Sequence, residues 1–231
     1  MTYCTREAAR HAVMTWHYSR TMPTGKLIRY GVWDDAERFV GAVIFGRGAS
    51  GTLGQAYGLD ATQWCELVRV ALREHGAPVS QIVADALALL RRDNPGLRLV
   101  VSFADPARGH HGGIYQAGNW IYTGRSAPSA VYVDRAGRRW HERLVTNTGT
   151  VRQFGRLTRA VRKADVERVD VPGKHRYLYP LDRGMRRQLV HLAQPYPRAG
   201  EGSKASRGTA GAEGQVRPLP PARRSEGVSR G

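Results

Sequence analysis

Cysteine is nearly absent from the 231 residues: Cys4 and Cys65 stand alone, far apart and outside any C-x-x-C spacing. That argues against both a disulfide framework and a zinc finger, and both thiols are expected to be free. Long apolar runs are missing too. No stretch of 18 or more apolar residues and no basic helix with a wide apolar face is present, so no membrane partner is expected. The first ten residues carry Arg6, Glu7 and Arg10 where a secretory signal needs continuous apolar side chains, so a cytoplasmic protein is expected. Acidic residues are scarce: 19 Asp and Glu face 36 Lys and Arg, leaving a net charge of +17. Such an excess points to a polyanionic partner, and nucleic acid is favoured over a membrane surface.

What is present suffices for one domain. A hydrophobic content of 41% supports a core. From Gln194 the composition turns to Gly, Pro, Ser, Ala and Arg, so residues 1–193 read as the domain and 194–231 as a disordered basic tail. That tail holds a net +4, which leaves +13 on the domain.

The periodicity predicts a mixed α/β sheet flanked by helices. A helix spans Thr5 to Met14 with Thr5 as N-cap, followed by the polar loop Trp16-His17-Tyr18-Ser19-Arg20. Strands at 27–33 and 38–45 form a hairpin, a glycine-laden loop runs from Gly46 to Gly58, and 65–72 alternates as a half-buried strand. A helix opens near Pro78 and is stopped by Asn94-Pro95-Gly96; its successor strand, 97–104, lies parallel to 65–72 if the crossover is the usual right-handed one. A short helix at Tyr115 and strands at 120–123 and 130–133 complete the sheet. A helix at 151–163, a strand at 176–179 and a basic helix at 182–192 close the domain.

Residues 97–120 carry the chemistry. Asp105-Pro106 ends a buried strand, the turn holds His110-His111, and the next helix bears Tyr115. Carboxyl ends of strands are where open α/β sheets bind ligands. Asp105 reads as a base or an amine-holding group, against an ordinary Asx turn or salt bridge. Tyr115 reads as a proton donor, against a core aromatic. The helix start Pro78-Val79-Ser80, beside the strand carrying Arg69, offers orphan N–H groups that suit a pyrophosphate, although most such starts bind only water or a cap.

Adjacent His110 and His111 point in different directions on a regular element, so the spacing assigns no metal site; these histidines and Asp105 would share a metal only if the fold gathered them. The loop Gly46 to Gly54 lacks a Gly-Lys-Ser/Thr ending and is no triphosphate loop; it reads as a flexible acceptor-side loop. Arg20, Lys26 and Arg29, with Trp16, Tyr18, Tyr30 and Trp33 interleaved, read as a basic surface with stacking platforms, although half of those aromatics are expected in the core; Arg47 joins Arg20 and Lys26 as an expected nucleic-acid contact. Arg183, Arg186, Arg187 and His191 form a second candidate phosphate surface, which a solvated helix face would match equally.

The element order resembles the GCN5-related N-acetyltransferase fold, with residues 66–72 similar to that superfamily's fourth strand. Residues 74–80 lack its glycine-rich pyrophosphate signature. A closer resemblance is to the Mom family of bacteriophage DNA-modification proteins. It covers most of residues 14–145 and rests on Trp16 to Arg20, Phe45 to Ala49, Cys65 to Val70, Pro78 to Ser80, Ser102 to Pro106 and Gly113 to Ala117. It implies an enzyme that turns the N6 amine of adenine in DNA into a carbamoylmethyl-type adduct that restriction endonucleases cannot process. It also implies functional positions at His17, Tyr18, Ser80, Asp105 and Tyr115. Double-stranded DNA would be the partner and the adenine would be extruded onto an aromatic such as Tyr18. An acyl-CoA cofactor is implied by the fold resemblance, and iron by the family resemblance alone. Two other readings are a generic acyl-CoA-dependent N-acetyltransferase acting on a protein or small-molecule amine, and a noncatalytic DNA-binding protein, which leaves Asp105 and Tyr115 without a task.

Overall fold

Alternating apolar residues on 42–45 commit opposite faces of one strand to two different layers: Ala42 and Ile44 point to one side, Val43 and Phe45 to the other. The computed structural model describes residues 1–47, 51–153 and 155–198. Its main sheet contains β1 (Thr2–Tyr3), β2 (Leu27–Trp33), β3 (Phe39–Gly46), β4 (Trp64–Leu72), β5 (Leu99–Ala104), β6 (Ile121–Arg125) and β14 (His175–Pro180). Their order is β1-β2-β3-β4-β5-β14-β6, and β4–β5 is the parallel pair.

Helix α1 (Arg6–Trp16) starts at Thr5, whose hydroxyl accepts from the Ala8 N–H at 3.1 Å, and buries Ala9, Ala12 and Val13 on Ala42, Ile44 and Ala71. Helix α4 (Arg183–Leu189), capped by Asp182, lies on the same side and places Met185 and Leu189 against Leu99, Val101 and Leu178. On the other face, α2 (Val79–Asp93) buries Ile82, Val83, Ala86, Leu87 and Leu90, and α3 (Gly113–Ala117) contributes Tyr115. The mixed sheet flanked by helices is as expected.

One feature of the sheet makes room for a ligand. The parallel β4–β5 pairing is confined to Trp64↔Leu99, Cys65↔Val100 and Glu66↔Val101. Beyond it β4 follows β3 to Leu72, while β5 stays with β14 to Ala104. The register of β3 against β4 skips Val68, passing from Ile44↔Arg69 to Phe45↔Leu67. This bulge bends β4 where the two strands part. A wedge opens between them, and one edge of β4 from Leu67 to Leu72 has no strand partner among the described residues.

Between β6 and β14 the chain leaves the main sheet and builds a small all-β insertion. It comprises β7 (Ser129–Asp134), β8 (Arg139–His141), β9 (Val145–Thr146), β10 (Thr150–Gln153), β11 (Arg156–Arg159), β12 (Val161–Arg162) and β13 (Val166–Val171). Two expectations are corrected here. The strand at 130–133 does not complete the main sheet but pairs with β13 and β8 in a three-stranded one. The helix expected at 151–163 is instead the β10–β11 hairpin followed by β12. Gly149 and Gly155, at φ +75° and +78°, bracket β10 with left-handed backbone that interrupts a helix, and Thr150, Val151 and Thr158 favour strand.

The start of the expected tail is also corrected: residues 194–198 lie on the domain. Gln194 N–H donates to the Tyr122 carbonyl at 2.8 Å, and the Tyr196 hydroxyl donates to the Trp120 carbonyl at 2.7 Å. Residues 199–231 lie outside the described residues, as do 48–50 of the glycine-rich loop; its later part forms a 3-10 turn at Leu53–Tyr57. Among the described residues no helix is long and apolar enough to cross a membrane.

Candidate active site

The wedge continues into a cavity of about 620 Å³. Its walls are Leu67 to Val70 of β4, the β5 end at Phe103 to Asp105, the turn Gly109 to Gly113, Tyr115 of α3, and Trp16, His17 and Tyr18 after α1. Asp105, Tyr115, His17 and Tyr18, selected from separate stretches of sequence, therefore meet in one cleft.

Pro106 holds Asp105 extended at φ −94° and ψ 106°, so the carboxylate leaves the sheet at its edge. Its Oδ1 accepts from the Ala107 N–H at 3.0 Å and caps the 3-10 turn Pro106–Arg108. Oδ2 has no hydrogen-bond partner among the described residues and is available to the cleft. The Asx turn thus uses one oxygen and leaves the other for a ligand in the cleft.

Tyr115 is 8% exposed, with its ring 5.0 Å from both Trp120 and Tyr177. Ser102 Oγ lies 2.8 Å from the phenol oxygen and 3.0 Å from the Leu67 carbonyl, and its one proton serves either. That carbonyl sits where β4 and β5 part. Burial pushes the phenol up to about 12, so it keeps its proton at neutral pH. It is a hydrogen-bonding group at the cleft floor, better suited to orienting a ligand than to releasing a proton.

His17 Nδ1 accepts from the Ser19 N–H at 3.1 Å and lies 2.8 Å from the Ser19 hydroxyl. An Nδ1 that accepts a backbone proton carries none itself, so the neutral ring is an Nε2–H donor. Burial, with Arg69 and His110 nearby, lowers its titration to about 4. At neutral pH it is therefore a donor and not a base. The unfolded ring, with its ordinary value near 6.5, binds the extra proton between about pH 4 and 6.5, so stability falls as pH drops through that window and is untouched above it. The wild type is expected to lose more melting temperature than His17→Gln between pH 7 and about pH 4.5, and equal losses would refute the buried neutral ring.

Tyr18 is 59% exposed at the mouth. Its ring lies 4.3 Å from His17 and 5.3 Å from His110, and the Arg108 guanidinium sits over it at 5.9 Å. This is a stacking surface with a cation beside it. The turn opposite is held by Tyr177, whose hydroxyl donates to the His111 carbonyl. Gly112 there has φ +87°, and a Cβ would come 2.4 Å from the fully buried Tyr177 ring. Gly112→Ala is expected to cost about 2–4 kcal/mol in urea unfolding, from strain plus overpacking.

Other expected residues separate. Val79 lines the cavity but Pro78 and Ser80 do not, although α2 begins without a side-chain cap. Arg69 lines it while its guanidinium is spent on the Thr21 carbonyl, at 3.3 and 3.2 Å, and on the Val68 carbonyl, at 2.6 Å; it clamps the His17–Thr21 loop to β4. Arg20 is exposed on that loop at φ +45°. Lys26 and Arg47 border a different hollow, with Trp64, Cys65 and Gly96, at the amino ends of β4 and β5. They lie at the opposite end of the sheet from Asp105. His75 in the cavity wall, Ser102 behind Tyr115 and Arg108 over Tyr18 are residues to which the sequence assigned no role; only the Ser102-Phe103-Ala104-Asp105 block hinted at one.

A match to a family model covers residues 1–198 with the Mom protein family. The chain belongs to the Mom protein family. It is also similar to methylcarbamoylase Mom of Escherichia phage Mu, at 27% identity over 197 residues, covering 82% of this chain and 80% of that protein. The Mom family match spans every wall of the cleft and the whole β insertion.

The two implied cofactors fare differently against these residues. No three His, Cys, Asp or Glu side chains among the described residues gather to hold a metal ion, although His17, His110, His111 and Asp105 border one cavity. Among the described residues an iron centre therefore has no preformed ligand set. An acyl-pantetheine arm fits better. The unpartnered edge of β4 can pair with amides as an added strand does, and the uncapped start of α2 lies at the cavity through Val79.

Proposed function

We propose that this protein is a DNA-modifying transferase that converts the N6 amine of adenine into a carbamoylmethyl-type adduct. The observation that carries the reading is the convergence of Asp105, His17 and Tyr115 on one cleft with Tyr18 at its mouth. Family membership and similarity to a protein named a methylcarbamoylase support transfer of such a group, and the net charge of +17 supports DNA as the molecule that receives it.

The N6 amine is conjugated with the purine ring and is a weak nucleophile, so positioning and proton removal dominate its activation. Tyr18 stacks on an extruded adenine, with Arg108 and His110 beside it. Asp105 Oδ2 accepts from N6–H and takes the proton as the new N–C bond forms. The Nε2–H of His17 donates to the carbonyl oxygen of the incoming group. Tyr115, backed by Ser102, orients that group at the cleft floor. Adduct formation balances with a donor that already carries the carbamoylmethyl unit on a leaving group. The bond from its methylene carbon to that group breaks, the group departs with the electron pair as the N6–C bond forms, and the N6 proton goes to Asp105. Simple acyl transfer from an acyl-CoA held along the open edge of β4 would give an N6-amide instead.

Nucleoside mass spectrometry of DNA from cells producing the chain tests this. The expected result is a 2′-deoxyadenosine in which a carbamoylmethyl group replaces one N6 hydrogen. An unmodified adenine pool overturns it, and if acylated protein or small amines appear instead, the open β4 edge serves a generic N-acetyltransferase.

A further inference from the structure

The β insertion holds a surface that the proposed chemistry leaves unused. We infer that the β10–β11 ribbon is a duplex-DNA element, with Arg152, Arg156 and Arg159 on phosphates and Leu157 as an apolar wedge between base pairs. This deepens the reading of the protein as an adenine-modifying enzyme and rests on it for the identity of the partner.

Three observations carry the inference. First, position: β6 leaves and β14 re-enters the sheet at Arg125↔His175, and His175 also pairs with Ala104 at the end of β5. The insertion therefore springs from the end of the sheet that bears Asp105. Lys26 and Arg47 are at the other end.

Second, charge: residues 125–174 hold 12 Lys and Arg against five Asp and Glu. Ion pairs occupy Arg138, Arg162 and Arg168 of this segment, whereas Arg152, Arg156 and Arg159 are exposed and have no carboxylate partner among the described residues. Cations left unpaired on a two-stranded ribbon suit phosphates flanking a groove that admits such a ribbon.

Third, register: Arg152 pairs across from Leu157, and Thr150 across from Arg159. Alternation then puts Arg152, Leu157 and Arg159 on one face, with Arg156 on the other face at the turn end of the ribbon, where it flanks the wedge. Leu157 is 71% exposed, the most exposed large hydrophobic side chain among the described residues. A lone exposed leucine is unremarkable on most surfaces. Between two unpaired arginines on a ribbon it has the form of the wedges that unstack base steps. Unstacking is what extrusion of an adenine requires.

The test uses the full chain, a long random-sequence duplex, fluorescence anisotropy at several salt concentrations, and permanganate reactivity of thymines as the readout of unstacking. Arg152→Gln, Arg156→Gln and Arg159→Gln together should lower duplex affinity about 100-fold near 0.15 M salt and reduce the salt slope by about 3. Leu157→Ala alone should keep affinity within a few fold and abolish the permanganate signal. Neither readout needs adduct formation. Wild-type binding that the triple variant retains, or a permanganate signal that Leu157→Ala retains, overturns this inference and leaves the proposed chemistry standing. A wild type that binds no duplex overturns both, and a wild type that binds and unstacks duplex yet makes no adduct overturns the chemistry alone.

Discussion

Asp105→Asn should lower adduct formation by about 10²–10⁴-fold while leaving the fold intact, the range expected when a positioned general base is lost. The substitution separates two jobs that share one side chain. Oδ1 caps the turn at Pro106–Arg108 by accepting from Ala107, and the amide oxygen of asparagine can do the same. The Oδ2 position becomes an NH₂ that can only donate. Facing an N6 amine that must give up a proton, a donor is mispaired and takes nothing. Melting temperature should move little and duplex affinity should hold, whereas the modified deoxyadenosine in nucleoside mass spectra should fall to background. An Asp105→Asn protein that modifies DNA at the wild-type rate would remove Asp105 from the mechanism. A large loss of stability would instead mean that the carboxylate charge serves the turn.

The legible part of this site was its local chemistry. Asp105 before a proline, the glycine-histidine turn and the helix at Tyr115 follow each other within a dozen residues, so their neighbourhood is dictated by the chain itself. Helix α2 likewise announced itself through Ile82, Val83, Ala86, Leu87 and Leu90 at helical spacing. The wedge did not. It depends on a bulge opposite Ile44 and Phe45 and on β14, some 75 residues downstream of β5, keeping β5 from following β4. No local pattern encodes such a competition for partners. Arg69 was misleading for a related reason, since its guanidinium satisfies the carbonyl of Thr21, a contact 48 residues apart in sequence. Pro78 and Ser80 open α2 as expected, yet the helix axis presents only Val79 to the cleft. Within 151–163, Val151 and Leu157 are too sparse to fix a period, and the glycines flanking β10 carry the information that makes 150–159 a hairpin instead of a helix.

Tyr115 should show the second large effect, and its two substitutions should split structure from chemistry. Tyr115→Ala removes a ring that is wedged between Trp120 and Tyr177 beneath α2, and it should cost about 3–5 kcal/mol in denaturant unfolding, as truncation of a buried aromatic does. Tyr115→Phe keeps that ring. It deletes only the oxygen 2.8 Å from Ser102, and Ser102 still has the Leu67 carbonyl at 3.0 Å to receive its proton. No buried donor is orphaned, so the cost should stay near about 0.5–1.5 kcal/mol. If the phenol orients the transferred group, Tyr115→Phe should nevertheless slow adduct formation about 10–100-fold, the lower part of what a positioned hydrogen-bonding group contributes. Because the buried phenol titrates only near 12, the wild-type rate should show no ionisation of this group between pH 6 and 9. A Tyr115→Phe protein with full activity and nearly full stability would make the residue a packing element of the α3 turn and leave Asp105 and His17 as the reacting face of the cleft.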